Sequence, residues 1–187
     1  MGDILACIFF PDYNFMERAV SSLCKGGGGL FFQIGSVLSG IFAIPFVIYL
    51  NKSFNINYVN ENLKKKAKVV AVISCTCLII LGAFCGSDPI IAIIHGVSAV
   101  ISWLFGLFYI TFFNFFMLRD PKYSRTLSWF GFSATITLST LMILFFLAFI
   151  PSLRFLVVIL PFVEWINTIV IIIWYFIVSI YTIVKKI

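Results

Sequence analysis

The sequence predicts an all-α, polytopic transmembrane helix bundle: one domain over 1–187, five spanning helices, N-terminus out and C-terminus in. Three observations predict it. Of 187 residues, 62% are hydrophobic and 11% charged, with a mean hydropathy of +1.13. A soluble domain is about half apolar and about a quarter charged, and a globule of this size exposes too much of its chain to hide the excess. Five apolar stretches reach the length of about 20 residues that a helix needs to cross a hydrocarbon core. The basic residues between those stretches are dense on one side and sparse on the other, which fits an odd number of crossings.

Residues 1–29 form an outer N-terminal segment. Its first charge is Asp3, not Lys or Arg. Its apolar run, 4–10, is shorter than the h-region and cleavage site of a secretory signal and too short to span. Four consecutive glycines at 26–29 precede the first span. A phosphate-cradling loop would continue into Lys-Ser or Lys-Thr. Here Leu30-Phe31 follows, so the run reads as a flexible entry to the bilayer.

The spans are expected at about 30–50, 68–86, 90–117, 127–150 and 155–184. None contains a run of charge. They are helices because lipid leaves backbone groups no partner outside their own segment, and a barrel would show weaker, alternating segments of about ten residues. Pro45 predicts a kink in the first span. Pro161 predicts a break in the last, leaving 154–160 as an outer half-turn or re-entrant piece. The third and fifth spans exceed the bilayer, so they tilt or rise into the headgroup layer.

Charge sets the orientation. Lys52, Lys64, Lys65, Lys66, Lys68, Arg119, Lys122, Arg125, Lys185 and Lys186 fall on one side; only Arg18, Lys25 and Arg154 fall on the other. The positive-inside rule places the first group in the cytoplasm of a multi-pass cell-membrane protein. The same rule accounts for the net charge of +6. No Lys/Arg-rich arm accompanies that charge, so no nucleic-acid partner is expected.

Small residues recur four apart: Gly35/Ser39, Ser36/Gly40, Gly82/Gly86, Ser102/Gly106 and Thr135/Ser139. Such pairs let helix backbones approach closely and are expected to pack the bundle internally. The crowd of Phe105, Phe108, Phe112, Phe113, Phe115 and Phe116 in the third span faces lipid or packs between helices. Of five cysteines, Cys75, Cys77 and Cys85 sit in one apolar run and are expected to act as small hydrophobes. Cys7 and Cys24 share the outer segment, where a disulfide between them can form.

Ionisable groups inside a membrane segment are functional candidates by default. His95 lies 24 residues before Arg119, and Glu164 lies 21 residues before Lys185. At the helical rise these are about 36 Å and about 31 Å, so both sit near the outer boundary of the hydrocarbon. Asp88 and Tyr13 belong to that level, and Asn167 lies a turn below Glu164. The expected arrangement is an outward-facing polar cluster of His95, Glu164, Asp88, Asn167 and Tyr13. It either meets lipid headgroups or pins helices through a His95–Glu164 hydrogen bond. On the inner side, Lys64, Lys65, Lys66 and Lys68 are positioned to attract anionic lipid, beyond their part as topology anchors. One histidine is too few for a zinc hydrolase site, which takes three protein ligands. No metal or cofactor site is expected, and no catalytic residue is assigned.

A family resemblance rests on Tyr13-Asn14, Val20-Ser21-Ser22-Leu23, the glycine loop, Phe32-Gln33-Ile34-Gly35 leading into Ser39-Gly40, and Ile44-Pro45-Phe46. Together these resemble a widespread prokaryotic polytopic membrane family known as a domain of unknown function, distantly grouped with the eukaryotic Frag, DRAM and Sfk membrane proteins. His95-Gly96 at the outer start of the third helix and Glu164 near that of the last fit as well. The resemblance spans most of the chain through short motifs. It implies six helices with both termini inside. Only 4–10 stands where the first would lie, which implies a truncated or misassigned start, or a member without that helix. The eukaryotic relatives are associated with lipid handling, GPI-lipid maturation and organisation of membrane lipids, so the resemblance implies lipid interaction.

The expected function is therefore that of a non-enzymatic, lipid-interacting or membrane-organising protein whose partners are membrane lipids. Two alternatives stand beside it. One is an accessory subunit of a larger membrane complex, with the Phe-rich face covered by other membrane subunits. The other is a lipid-modifying hydrolase or acyltransferase with His95 as base and Ser98 or Ser102 nearby on the same helix.

Overall fold

The computed structural model describes residues 2–187, which form helices and turns with no strand among them. The helices are α1 (Gly2–Ile8), α2 (Gly29–Ser53), α3 (Glu61–Ala83), α4 (Pro89–Arg119), α5 (Arg125–Leu147) and α6 (Leu160–Val184). Two 3-10 segments, Val20–Lys25 and Pro151–Val158, precede α2 and α6. Helices α2 to α6 are each long and apolar enough to cross a membrane, and large apolar side chains such as Val97, Ile136 and Phe176 are exposed on them. This is the architecture of a multi-pass membrane protein.

Side-chain caps set the helix starts. Asn60 accepts from the Leu63 N–H, which begins α3 at Glu61 rather than at 68. Lys64, Lys65, Lys66 and Lys68, expected in and beside the loop, consequently occupy the first two turns of α3. An Asn cap followed by an acid in the first turn is a local start signal that a hydropathy window overlooks. Asp88 caps α4, accepting from Ile90 N–H and Ile91 N–H with Pro89 at the first helical position; proline there forfeits no hydrogen bond. Ser124 caps α5. The last span starts at Leu160 rather than 155, because Pro151–Val158 is wound as a 3-10 segment. Helix α2 continues through Pro45.

The helices alternate in direction and pack in chain order: α2 on α3, α3 on α4, α4 on α5, α5 on α6. The upper end carries α1 and the turns at 84–88 and 148–159; the lower end carries the turns at 54–60 and 120–124 and the C-terminus. The small residues anticipated from the sequence make internal contacts. A Cβ on Gly40 would sit 2.8 Å from the Cys75 carbonyl oxygen, and one on Gly82 would sit 2.9 Å from the Val37 nitrogen. Helices α2 and α3 therefore touch backbone to backbone, a packing that gains dispersion where lipid removes any hydrophobic contrast. Ser74 and Ser102 join α3 to α4 reciprocally, each hydroxyl donating to the other's carbonyl at 2.8 and 3.1 Å.

The lower end is closed by aromatic packing. The Phe54 ring lies 5.3–5.6 Å from those of Phe113, Phe116 and Tyr123, and all four are buried. Of the six phenylalanines of α4, Phe113 and Phe116 are thus buried inside the bundle, Phe105, Phe112 and Phe115 are half-buried and Phe108 is exposed. Above this plug, Trp174 Nε1–H donates to Asn114 Oδ1 at 2.9 Å and ties α6 to α4.

Candidate functional site

Helices α2 and α6 are the two ends of the packed row, and they do not pack along their length. Between them lies a cavity of about 660 Å³. Its walls run from His95 to Ile110 on α4 and from Glu164 to Ser179 on α6. Fifteen residues of helix rise about 22 Å, against a hydrocarbon thickness of about 30 Å. The slot is therefore long enough to run through most of such a thickness. Phe42 and Ile172 line it while being 69% and 52% exposed, so it opens sideways between α2 and α6. Below, Phe46 and Tyr175 close the opening with their ring centroids 5.5 Å apart. Above, the N-terminal segment crosses from α2 to α6: α1 packs on α2, and Ser21 N–H donates to Glu164 Oε1 at 3.2 Å.

Asp3, Ser21, His95 and Glu164 line the upper mouth, with Asn167 and Thr168 a turn below. The middle is walled by Phe32, Ala99, Trp103, Phe145 and Ile171 together with four serines, Ser36, Ser39, Ser74 and Ser102, of which Ser74 and Ser102 spend their hydroxyls on each other's carbonyls. At the lower end Tyr109 and Tyr175 join hydroxyl to hydroxyl at 2.7 Å, with the Cys75 sulfur 3.9 Å from Tyr175.

The α3 C-terminus orients His95. Its Nδ1 lies 2.9 Å from the Leu81 carbonyl oxygen and 3.2 Å from that of Phe84. Carbonyls only accept, so Nδ1 carries the proton. The other ring nitrogen, Nε2, is buried with no partner among the described residues. The anticipated His95–Glu164 hydrogen bond does not form: each side chain holds a different backbone segment. Nor does any serine donate to His95; the Ser102 hydroxyl is committed to Ser74.

Of the five residues expected at the upper level, three line one cavity: His95, Glu164 and Asn167. Asn167 is buried and its Oδ1 receives the Thr137 hydroxyl at 3.3 Å. Asp88 stands apart as the α4 cap. Tyr13 belongs to a neighbouring, more open apolar pocket of about 670 Å³ with Phe10, Phe162 and Trp165. Its hydroxyl is shared between the carbonyls of Arg18 and Ala19 and accepts from Trp165 Nε1–H at 3.0 Å. Asp3 joins the mouth without having been anticipated, and burial pushes its carboxyl above the ordinary carboxylate range.

Cys24 pairs with Cys85 across 61 residues, with Cα atoms 5.5 Å apart. The expected partner, Cys7, is free, and Cys85 is no mere hydrophobe. This cross-link fastens the segment over the cavity to the upper end of α3. A loop of that length is worth about 4 kcal/mol in the chain-entropy account.

At the lower end the four lysines separate. Lys64 Nζ donates to the carbonyls of Lys52 and Phe54, neutralising the exposed C-terminus of α2. Lys65 pairs with Glu61 at 2.8 Å on the surface, and Lys66 is exposed. Asp120, which sequence reasoning passed over, is buried; its two oxygens accept from Asn55 N–H at 2.8 Å and Lys122 N–H at 3.1 Å. It staples the two lower loops together. The only sequence signal was an acid set among the basic residues of one loop. No protein-family model, curated protein or solved structure matches this chain.

Proposed function

We propose that the chain is a lipid-interacting membrane protein that holds a single amphiphile in the cavity between α2 and α6. The observation that carries this reading is the shape and polarity of the cavity. It is open sideways between α2 and α6, walled through its middle mainly by apolar side chains with serines among them, and lined by ionisable and amide side chains at its upper mouth. Ligand pockets have this make-up, a predominantly apolar wall with a few placed polar groups. The polar mouth receives the head, and the tail lies along Phe32, Trp103 and Phe145. The resemblance to membrane families linked with lipid handling points the same way.

Orientation belongs to the same proposal: the cavity mouth faces out of the cell and the lysine-rich end faces in. The ten-to-three division of basic residues supports it. So does the Cys24–Cys85 cross-link at the upper end, since disulfides persist in oxidising compartments. Lys66, exposed at the lower end, then meets anionic lipid. In intact cells and a Cys7→Ser background, an impermeant maleimide should label an Arg154→Cys variant and spare Lys66→Cys; the reverse pattern would invert the topology.

The test of function is native mass spectrometry after gentle detergent extraction. The expected result is one retained amphiphile per chain, lost in Ser39→Phe, which places a ring at the rim of the opening. Unrelated membrane subunits co-purifying with no retained amphiphile would replace this reading with that of an accessory subunit.

A further inference from the structure

The connection between α5 and α6 leaves the bundle and keeps the apolar composition of the spans. Of its twelve residues, 148–159, only Ser152 and Arg154 are polar. No residue of Pro151–Val158 is buried, and Phe149, Phe155 and Val158 are 72%, 67% and 78% exposed. The lower turns are built differently. Residues 54–60 carry three asparagines, and 120–124 carry Asp120 and Lys122. Phe54, Val59 and Tyr123 are buried there, with Ile56 and Tyr58 the exposed exceptions.

The winding of the upper connection sorts its side chains. A 3-10 helix has three residues per turn, so every third side chain falls on one line. Leu153 and Leu156, both half-buried, form the line against the bundle. Phe155 and Val158 form a second, exposed line, with Ser152 at its start. Arg154 stands in the third, between Pro151 and Val157. An apolar line beside one that carries a cation is the make-up of a segment lying in a membrane interface. The backbone agrees. The N–H groups of Phe149, Ile150, Leu153 and Ile159 each donate to the carbonyl three residues back, at 2.9–3.2 Å. Lipid demands a backbone that satisfies itself, whereas water does not. The exposed apolar surface of the spans also runs up to this segment, through Ile143 and Phe146 on α5 and Ile166 and Ile169 on α6.

We propose that the α5–α6 connection is a lipid-contact element that lies in the membrane and not above it. Phe155 and Val158 sit among the acyl chains of the leaflet at the upper end, and Arg154 extends to the lipid phosphates, its stem along the apolar layer and its guanidinium at the headgroups. The partner of this surface is the bilayer itself.

The test places a nitroxide at three neighbouring positions, through Arg154→Cys, Phe155→Cys and Val158→Cys. The background is Cys7→Ser with Cys77→Ala; Cys75 is buried. All three positions are exposed, so no packed side chain is removed. A label at Phe176→Cys, on the exposed surface of α6, supplies the acyl-chain reference. The protein is reconstituted in vesicles of phosphatidylethanolamine and phosphatidylglycerol. Relaxation by oxygen, which concentrates in lipid, is compared with relaxation by a water-soluble nickel chelate present on both sides. Oxygen should dominate at 155 and 158 as it does at 176, at a depth of about 5–10 Å below the headgroup boundary. The chelate should dominate at 154. If the chelate dominates at 155 and 158 as well, the segment lies in water and the inference fails. Labels at 155 and 158 shielded from both agents would overturn it too, by putting a protein surface over them, and dipolar broadening between labels would identify that surface as a second copy. Neither outcome depends on an amphiphile in the cavity.

Discussion

The two ends of the bundle solve the same packing problem differently. At the lower end aromatic side chains close the space between α2, α4 and α6. Phe54, Phe113, Phe116 and Tyr123 fill the space, Trp174 is hydrogen-bonded to Asn114, and Asp120 joins the two loops. At the upper end α2 and α6 stand apart, and a short segment from outside the bundle bridges them through Glu164 and Cys24. Buried polar atoms without a partner occur toward both ends, Asn51 Oδ1 and Asn114 Nδ2 below and His95 Nε2 above. Unpaired buried polar atoms cost stability. The contrast is one of packing: the lower end is filled by aromatic rings, and the upper end holds the open cavity in which the proposed amphiphile would sit.

That contrast can be broken most forcefully at the cross-link. Cys24→Ser should cost up to about 4 kcal/mol, and the loss should appear as earlier thermal unfolding and earlier proteolysis within 1–28. An unchanged melting profile would mean that the segment is held by packing alone. Next in size is the α2–α3 seam. Gly40→Leu drives a side chain into the Cys75 carbonyl and Ile79 and should cost about 3 kcal/mol, the top of the usual overpacking range. Ser39→Phe, one residue away on the cavity rim, should change stability by less than about 1 kcal/mol while removing the bound amphiphile. Equal penalties at the two positions would erase the distinction between scaffold and cavity.

A smaller effect is expected at Trp174→Phe. It leaves the ring but strips Asn114 Oδ1 of its donor, a loss of about 1–2 kcal/mol for an interhelical hydrogen bond in a membrane, readable by denaturant titration in mixed micelles. The smallest is a pH effect at the lower end. Burial pushes the Tyr123 phenol up to about 12, with the neighbouring Asp120 charge acting in the same direction against the lowering hydrogen bond to Ser53. The folded state then holds this proton more tightly than the unfolded chain, whose phenol titrates near 10. Its contribution is fully present below pH 10 and fades as pH rises toward 12. Tyr123→Phe should flatten that alkaline limb, followed by tyrosinate absorbance alongside melting.

Much of the frame was legible because it depends on sums along the chain. Span length and hydropathy add residue by residue, so five crossings emerge, with the starts of α3 and α6 displaced by seven and five residues and the other ends by three or fewer. The depth of His95 and Glu164 follows from the helical rise alone, and the structure places both at the upper mouth of one cavity. The misplaced start of α3 has a local cause: the cap at Asn60 and the paired Glu61–Lys65 outrank the polarity of a lysine-rich turn.

What the sequence by itself determined is the number of spans, their length and the level at which each polar side chain sits. Only the tertiary structure decided which of those side chains face one another. Asp3 and Ser21 joined His95 and Glu164 while Asp88 and Tyr13 did not. Cys24 found Cys85 rather than Cys7, and Asp120 became the joint between two loops. The physical reason is that helices apolar on all sides carry no stripe to mark the face that turns inward. Their rotation and spacing are set by backbone contacts at Gly40 and Gly82 and by side-chain pairs such as Trp174 with Asn114. Those depend on the partner helix and leave no periodic trace in either segment read alone.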